Sequence, residues 1–242
     1  MGYEAFAGYY DFLTENIDYR SLAEYYDRLN RKFGGRKGIM LDLACGTGSL
    51  SVILKELGYD VIGTDISEEM LSIAVSKEHE GIEYLCQDMR CLDLYGTIDA
   101  AICSLDSINH LETAEDVQQV FDRVSLFSNR GALFMFDVNT LYKHKKVLGD
   151  NTFVYDDERV YCVWQNEYLG EGKTGIYLDF FEGRKGVYHR YSDDFTETAY
   201  PKEQLAEMLR EAGFEVLACY EYPTLLPPKE DSEKLTFIAK KK

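Results

Sequence analysis

Three carboxylates and one imidazole stand where apolar runs give way to turns: Asp42, Asp65, Asp88 and His110. Asp42 lies in the run Ile39–Ala44, just ahead of Gly46-Thr47-Gly48. A glycine pair there lets the backbone turn with positive φ and lets a ligand approach closely. From Leu50 the apolar residues fall at Leu50, Ile53, Leu54 and Leu57, one face of a helix. Strand, glycine turn and helix start together make a nucleotide-type site, because the turn offers backbone N–H groups and the helix start carries partial positive charge. Asp65 ends the second apolar run, Val61–Asp65. In an open parallel sheet that is the ligand-binding end, and a carboxylate there accepts both hydroxyls of a ribose. Ile66 follows, placed to touch the adenine face. A neutral imidazole such as that of His110 accepts a proton near neutral pH.

The phosphate-binding alternatives lose support. A dinucleotide fingerprint wants a third small residue at position 51, where Ser51 fits poorly. A phosphate loop needs Gly-Lys-Ser/Thr, whereas Gly48 is followed by Ser49-Leu50. An acidic residue ahead of Gly-x-Gly remains. The stretch LDLACGTG resembles the first motif of the class I S-adenosylmethionine (SAM) methyltransferases. That resemblance implies a loop, Ala44 to Gly48, wrapped around the methionine end of SAM, with Asp42 contacting its amino group directly or through water. Gln87-Asp88-Met89 after the run Ile82–Cys86 resembles the family's adenine motif. It implies that Asp88 accepts from the exocyclic amine and that Met89 covers the ring, a packing role that suits the adaptable thioether.

Further on, Ile98–Cys103 runs into Ser104-Leu105-Asp106-Ser107-Ile108-Asn109-His110. In the family the loop after this strand faces the transferring methyl. The stretch is similar to that of bacterial N-methyltransferases acting on nucleotide-linked amino sugars, including a His at the His110 position. Ser104 is therefore a cofactor contact by resemblance, His110 a candidate base, and Asp106 and Asn109 candidates to orient the acceptor. At the N-terminus, Phe6–Asp11 resembles the Tyr-Tyr-Asp lid of small-molecule methyltransferases, which implies that Tyr9 and Tyr10 close over SAM and acceptor. Ring packing onto the domain, a helix-capping Asp65 and a backbone-bonded His110 are the structural alternatives.

The elements that must position these residues follow in order. A helix over about 21–33 carries Leu22, Tyr25, Tyr26, Leu29 and Phe33. Ser67 and Thr113 are N-cap candidates for two more, and Pro201 is placed at the first position of another. Strands alternate with helices up to Gly131–Val138, which implies a mainly parallel sheet covered on both faces. Phe214–Tyr222 and Leu235–Ala239 close the chain as a hairpin. The fold expected is α/β: a seven-stranded, Rossmann-like class I methyltransferase sheet with helices on both faces. Between about 140 and 199 the pattern turns to short β-rich runs separated by Gly170-Glu171-Gly172 and Glu182–Gly186. That divides the chain into a SAM-binding domain, 1–139 with 200–242, and an antiparallel β insertion, 140–199. The resemblance gives the insertion a role in the acceptor pocket or in a subunit contact, and a homodimer stays open. Trp164, Tyr177, His189, Arg190 and Tyr191 are its pocket candidates.

Composition bounds the partners. Hydrophobic content of 45% permits a sizeable core, and the formal net charge is −17. Such a surface disfavours phosphate backbones and anionic membranes, which bind through Lys and Arg. The six cysteines show no C-x-x-C pair, which fits reduced thiols in a cytoplasmic protein. No metal-ligand cluster is visible and no apolar run approaches the roughly 18 residues of a membrane span. The expected function is methyl transfer from SAM to nitrogen or oxygen of a small molecule. The alternatives are an RNA- or protein-directed methyltransferase, for which only the basic strip Lys143–Lys146 speaks, and a noncatalytic SAM-binding protein. A nicotinamide oxidoreductase ranks behind both because of Ser51.

Overall fold

The computed structural model describes residues 10–11, 14–77, 79–156, 160–184 and 186–242. Tyr9 lies outside the described residues. Seven strands form the main sheet: β1 Ile39–Leu43, β2 Asp60–Asp65, β3 Ile82–Cys86, β4 Ile98–Cys103, β5 Ser128–Asn139, β10 Phe214–Glu221 and β11 Lys234–Lys241. Their order is β10-β11-β5-β4-β1-β2-β3. Pairing is parallel from β3 through β5, while β11 runs antiparallel to both β5 and β10. The chain builds outward from β1 in one direction and then returns through β4 in the other. That reversal opens a crevice beyond the C-terminal ends of β1 and β4, where α/β sheets bind ligands.

Alternation along β5 shows how the sheet is covered. Leu133 and Met135 face α1 (Tyr19–Lys32) and α2 (Ser49–Glu56), together with Leu22, Tyr26, Leu29, Leu50 and Leu54. Phe134 and Phe136 face α4 (Ala114–Phe127) and α5 (Lys202–Glu211), together with Val117, Phe121, Leu205 and Leu209. Successive side chains of a strand point to opposite faces, so one apolar run serves both layers. The remaining helix, α3 (Glu68–Ser76), starts at Ser67, whose hydroxyl accepts from the Met70 N–H. Thr113 caps α4 in the same way through Asp116 N–H. Both meet the sequence expectation, because a short hydroxyl side chain satisfies a helix N–H that has no carbonyl partner.

Strand β1 ends at Leu43, and Ala44 begins the loop with φ 59°. Two local expectations are corrected. Pro201 is the N-cap of α5, not its first residue, because its ψ of 139° is extended. Strand β5 starts at Ser128, ahead of Gly131.

Residues 152–198 form a separate antiparallel sheet of β6 (Thr152–Asp156), β7 (Tyr161–Gly170), β8 (Lys173–Arg184) and β9 (Val187–Thr198). Its strands are longer than the β-rich runs suggest. A helical turn, Lys143–Leu148, precedes it. That turn breaks up the basic strip: Lys145 and Lys146 point to solvent while His144 is fully buried. No helix among the described residues is long and apolar enough to cross a membrane.

Candidate active site

The loop after β1 is built on left-handed residues. Ala44, Gly46 and Gly48 have φ of 59°, 54° and 72°. Gly48 caps α2 in that conformation. A Cβ on Gly48 would stand 2.5 Å from Tyr84 Oη and 2.9 Å from Ala74 Cβ, so glycine is required there for packing. A Cβ on Gly46 would meet only the ring of Tyr10, at 3.7 Å. The Tyr10 ring therefore covers Gly46 at van der Waals distance. The Tyr10 hydroxyl is pushed well above its ordinary pKa by burial and by the nearby Tyr19, Asp106 and Asp65.

Asp11 latches this roof. Thr47 Oγ1 donates to Asp11 Oδ1 at 2.5 Å, and Lys77 Nζ reaches Asp11 at 3.2 Å, Thr47 Oγ1 at 3.1 Å and Ser49 Oγ at 2.7 Å. Asp11 is the acid of the Tyr-Tyr-Asp stretch, but nothing in the sequence marks Lys77 or Thr47 as its partners.

Asp42 is enclosed beneath the loop and accepts from Ser51 Oγ at 2.5 Å. The residue that breaks the dinucleotide fingerprint thus has a partner that needs it. Burial pushes the Asp42 carboxyl up to about 6, against a downward pull from Ser51. The folded state then holds a proton that the unfolded chain, at 3.8, releases. Stability falls as pH rises from about 4 to about 6 and is flat above, a loss on the order of 3 kcal/mol. Asp42→Asn keeps an acceptor for Ser51 and removes the titration. We expect a higher urea midpoint for the variant at pH 7.5, with a shallower pH slope between 4 and 6. An unchanged slope would refute it. Some slope persists because burial also raises the pKa of Asp65.

Asp65 receives Gly46 N–H on Oδ2 at 2.8 Å and Ser67 N–H on Oδ1 at 2.9 Å. Each oxygen keeps a further lone pair for a ribose hydroxyl. Ile66 beside it is 58% exposed, an apolar surface next to the crevice. Asp88 has a second occupation that the sequence does not announce. Arg90 forks onto it, Nε at 3.0 Å and Nη2 at 2.6 Å from Oδ2, and this holds the carboxyl below its usual range. Any contact with an adenine amine is shared with that guanidinium. Met89 is half-buried and packs against the core.

Beyond β4 the backbone is strained: Leu105 and Asp106 are consecutive non-glycine residues with φ of 55° and 56°. Such conformations cost about 1–3 kcal/mol each and persist only where the surroundings enforce them. Asp137, at the end of β5, does so by accepting both N–H groups, at 2.9 and 3.0 Å. Asp106 then places Oδ1 at 2.7 Å from Lys234 Nζ and Oδ2 at 2.6 Å from Asn139 Nδ2. Burial pushes its carboxyl up, but Lys234 and Lys143 outweigh that and hold it well below the carboxylate range. Burial pulls Lys234 down, yet Asp106 and Asp137 outweigh it and raise it, so Lys234 and Asp106 form a charged pair. Ser104 is buried, and its carbonyl accepts from Ser107 Oγ at 2.8 Å.

Asn109 leaves the group of acceptor-facing residues. It is fully buried, its amide donating to the carbonyls of Asn139 and Thr198 and its oxygen accepting from Asn139 N–H. It staples the β4 loop to β5 and β9. His110, by contrast, is 31% exposed in its side chain and stacks on Phe195 at 5.1 Å. Its Nε2 lies 3.9 Å from Glu197 Oε1. Of the insertion candidates, Trp164 Nε1 donates to Asn166, and Arg190 pairs with Asp179 on an exposed face.

These residues fit SAM. Carboxylates suited to the ribose and the amino group, an apolar Ile66 and the glycine loop covered by Tyr10 gather at the C-terminal ends of β1 and β2. Among the described residues no cluster suits a metal ion.

Comparison with known proteins agrees. A family described as a methyltransferase domain matches residues 40–129. The putative methyltransferase YqeM of Bacillus subtilis (strain 168) is 34% identical, the match covering 100% of this chain and 98% of that protein. The crystal structure of a SAM-dependent methyltransferase from Clostridium acetobutylicum ATCC 824 superposes with a TM-score of 0.89 at 29% identity, covering 99% of this chain and 98% of that one. The sugar N-methyltransferase KedS8 from Streptoalloteichus sp ATCC 53650 has the same fold, with a TM-score of 0.82 at 20% identity over 100% of this chain and 94% of that one. With that fold, that crevice and those relatives, the chain belongs to the class I SAM-dependent methyltransferases.

Proposed function

We propose that this enzyme methylates nitrogen or oxygen of a small molecule, and that an amine is the preferred acceptor. The carrying observation is the charge of the region beyond β4 and β5. Asp65, Asp106, Asp137 and Glu197 are gathered there with Lys143 and Lys234 as the cations, and His110 opens onto solvent beside them. An acidic cleft attracts a protonated amine and repels a phosphate backbone. That the KedS8 structure is of a sugar N-methyltransferase lends support.

SAM supplies an activated methyl group, so much of the protein's task is alignment. Gly46, Gly48, Asp42, Asp65 and Ile66 would hold the cofactor, with Asp88 and Met89 at its adenine end and Ser104 near its reacting end. Tyr10 would roof it. The strained Leu105-Asp106 turn would set the floor on which the acceptor sits. His110 would take the proton that an amine must lose, a contribution of about 10²–10⁴-fold. The insertion, 140–199, would wall the acceptor through Phe195 and Glu197.

Incubation with methyl-labelled SAM and a lysate from cells lacking the protein tests this. Label in the low-mass fraction is expected, on a product that mass spectrometry identifies as an N-methylated amine. Label in nuclease- or protease-sensitive material would overturn the small-molecule reading.

A further inference from the structure

Glu197 is a buried carboxylate that neither the cofactor site nor the sequence motifs claim. It enters from the end of β9 and is 5% exposed. Its two oxygens face two different histidines: Oε1 lies 3.9 Å from His110 Nε2, and Oε2 lies 3.5 Å from His144 Nε2. Asn139 Nδ2 approaches Oε2 at 3.4 Å. Charged groups near this cluster include Lys143, whose charge Glu197 favours, and Asp106 and Asp65, both of which interact with His110.

His144 is fully enclosed. Thr174 and Glu197 are cross-strand partners on β8 and β9, and they grip its ring from both sides. Thr174 Oγ1 meets Nδ1 at 3.1 Å, while Nε2 makes no hydrogen bond and lies 3.5 Å from Glu197 Oε2. The two ring nitrogens of a neutral imidazole differ, one donating and one accepting. A lone pair on Nε2 would face a carboxylate oxygen 3.5 Å away. A proton there faces it favourably, and Nδ1 then accepts the Thr174 hydroxyl. At 3.9 Å the same carboxylate acts on His110 Nε2 through its charge and not through a direct hydrogen bond, and the His110 ring stacks on Phe195, two residues before Glu197 on the same strand face.

We propose that Glu197 is the positioning residue for His110: it keeps the proton of both imidazoles on Nε2, so that Nδ1 of His110 is the lone pair that takes the acceptor's proton. The bonding pair of the acceptor's N–H stays on nitrogen as the proton leaves. The imidazolium so formed is balanced by the Glu197 carboxylate, much as a buried acid orients and stabilises the histidine of a hydrolase triad. His144 is the second clamp on that carboxylate, fixing it from the side away from the cleft. This assignment rests on the methyl-transfer reading only for its use. The arrangement of protons stands without it.

Four histidines make the test direct, because His79 and His189 are exposed and serve as internal references. The probe is imidazole ¹⁵N chemical shift in full-length, ¹⁵N-histidine-labelled protein at pH 7.5, with S-adenosylhomocysteine present and no acceptor. In the wild type, His110 and His144 should both show the Nε2–H pattern. In Glu197→Met both should move toward a tautomer mixture, with His79 and His189 unchanged, and Glu197→Gln, which keeps an acceptor, should restore part of the wild-type pattern. An Nδ1–H pattern at His110 in the wild type overturns the proposal, even if neither variant folds. So does a His110 ring that stays put in Glu197→Met. With the acceptor identified by labelling, Glu197→Met should lose roughly 10²-fold in kcat with little change in KM for SAM. Failure of the labelling experiment removes only the catalytic use, whereas unmoved rings remove only the role of Glu197.

Discussion

Asp137→Ala should destabilise the protein by about 3–5 kcal/mol, close to the whole margin of a marginal domain. The carboxylate is fully buried and joins three parts of the fold. Tyr26 Oη from α1 donates to Oδ1 at 2.7 Å, Leu105 and Asp106 N–H come from the β4 loop, and Lys234 Nζ of β11 stands 3.2 Å from Oδ2. Alanine would leave Lys234 with Asp106 alone, and two N–H groups without an acceptor in a strained turn. Each orphaned donor costs about 1–3 kcal/mol, and the terms are not additive. Tyr26→Phe is the control, because it removes one donor and leaves the ion pair, a loss of about 1 kcal/mol. Urea unfolding with unchanged m-values would measure both. Equal losses in the two variants would show that Asp137 is an ordinary hydrogen-bond acceptor and not what holds the turn.

Asp65→Ala should weaken SAM binding by roughly 10²–10³-fold, with far less effect on folding. Two hydroxyl bonds to a carboxylate account for about 3–4 kcal/mol, the size of that loss. The same carboxylate accepts Gly46 N–H, so the glycine loop would also lose an anchor. Calorimetric titration with S-adenosylhomocysteine is the measurement, with circular dichroism confirming the fold. Unchanged affinity would remove Asp65 from the cofactor site. Asp65→Asn should fall between wild type and alanine, since one acceptor oxygen remains.

The two predictions differ in how visible their residues are in the sequence. Asp65 is legible because its meaning is local. It ends an apolar run and sits a fixed distance after Gly46-x-Gly48, and the alternation of strands and helices places both at the same edge of a parallel sheet. Backbone geometry carries that reasoning: period two along strands, 3.6 along helices, and glycine wherever φ turns positive. The same logic gives the seven strands, the caps at Ser67 and Thr113, and the change of pattern near residue 140.

Asp137 is different. Its partners, Tyr26 and Leu105, come from elements 111 and 32 residues away, and the Lys234–Asp106 pair spans 128. Nothing in composition or spacing marks such partners, because only the packed sheet brings them together. Asn109 shows the converse. Its position after β4 suggests an acceptor contact, but the backbone ends at Asn139 and Thr198 needed hydrogen bonds inside the protein, and the amide turned inward to meet them. His144 looked like part of a basic strip until a helical turn buried it against Thr174 and Glu197. Sequence by itself determined the family, the order of the motifs and the end of the sheet at which chemistry occurs, since those depend on residues near one another in the chain. Tertiary structure alone decided which charges meet, because a buried carboxylate takes its role from whichever donors the fold delivers to it.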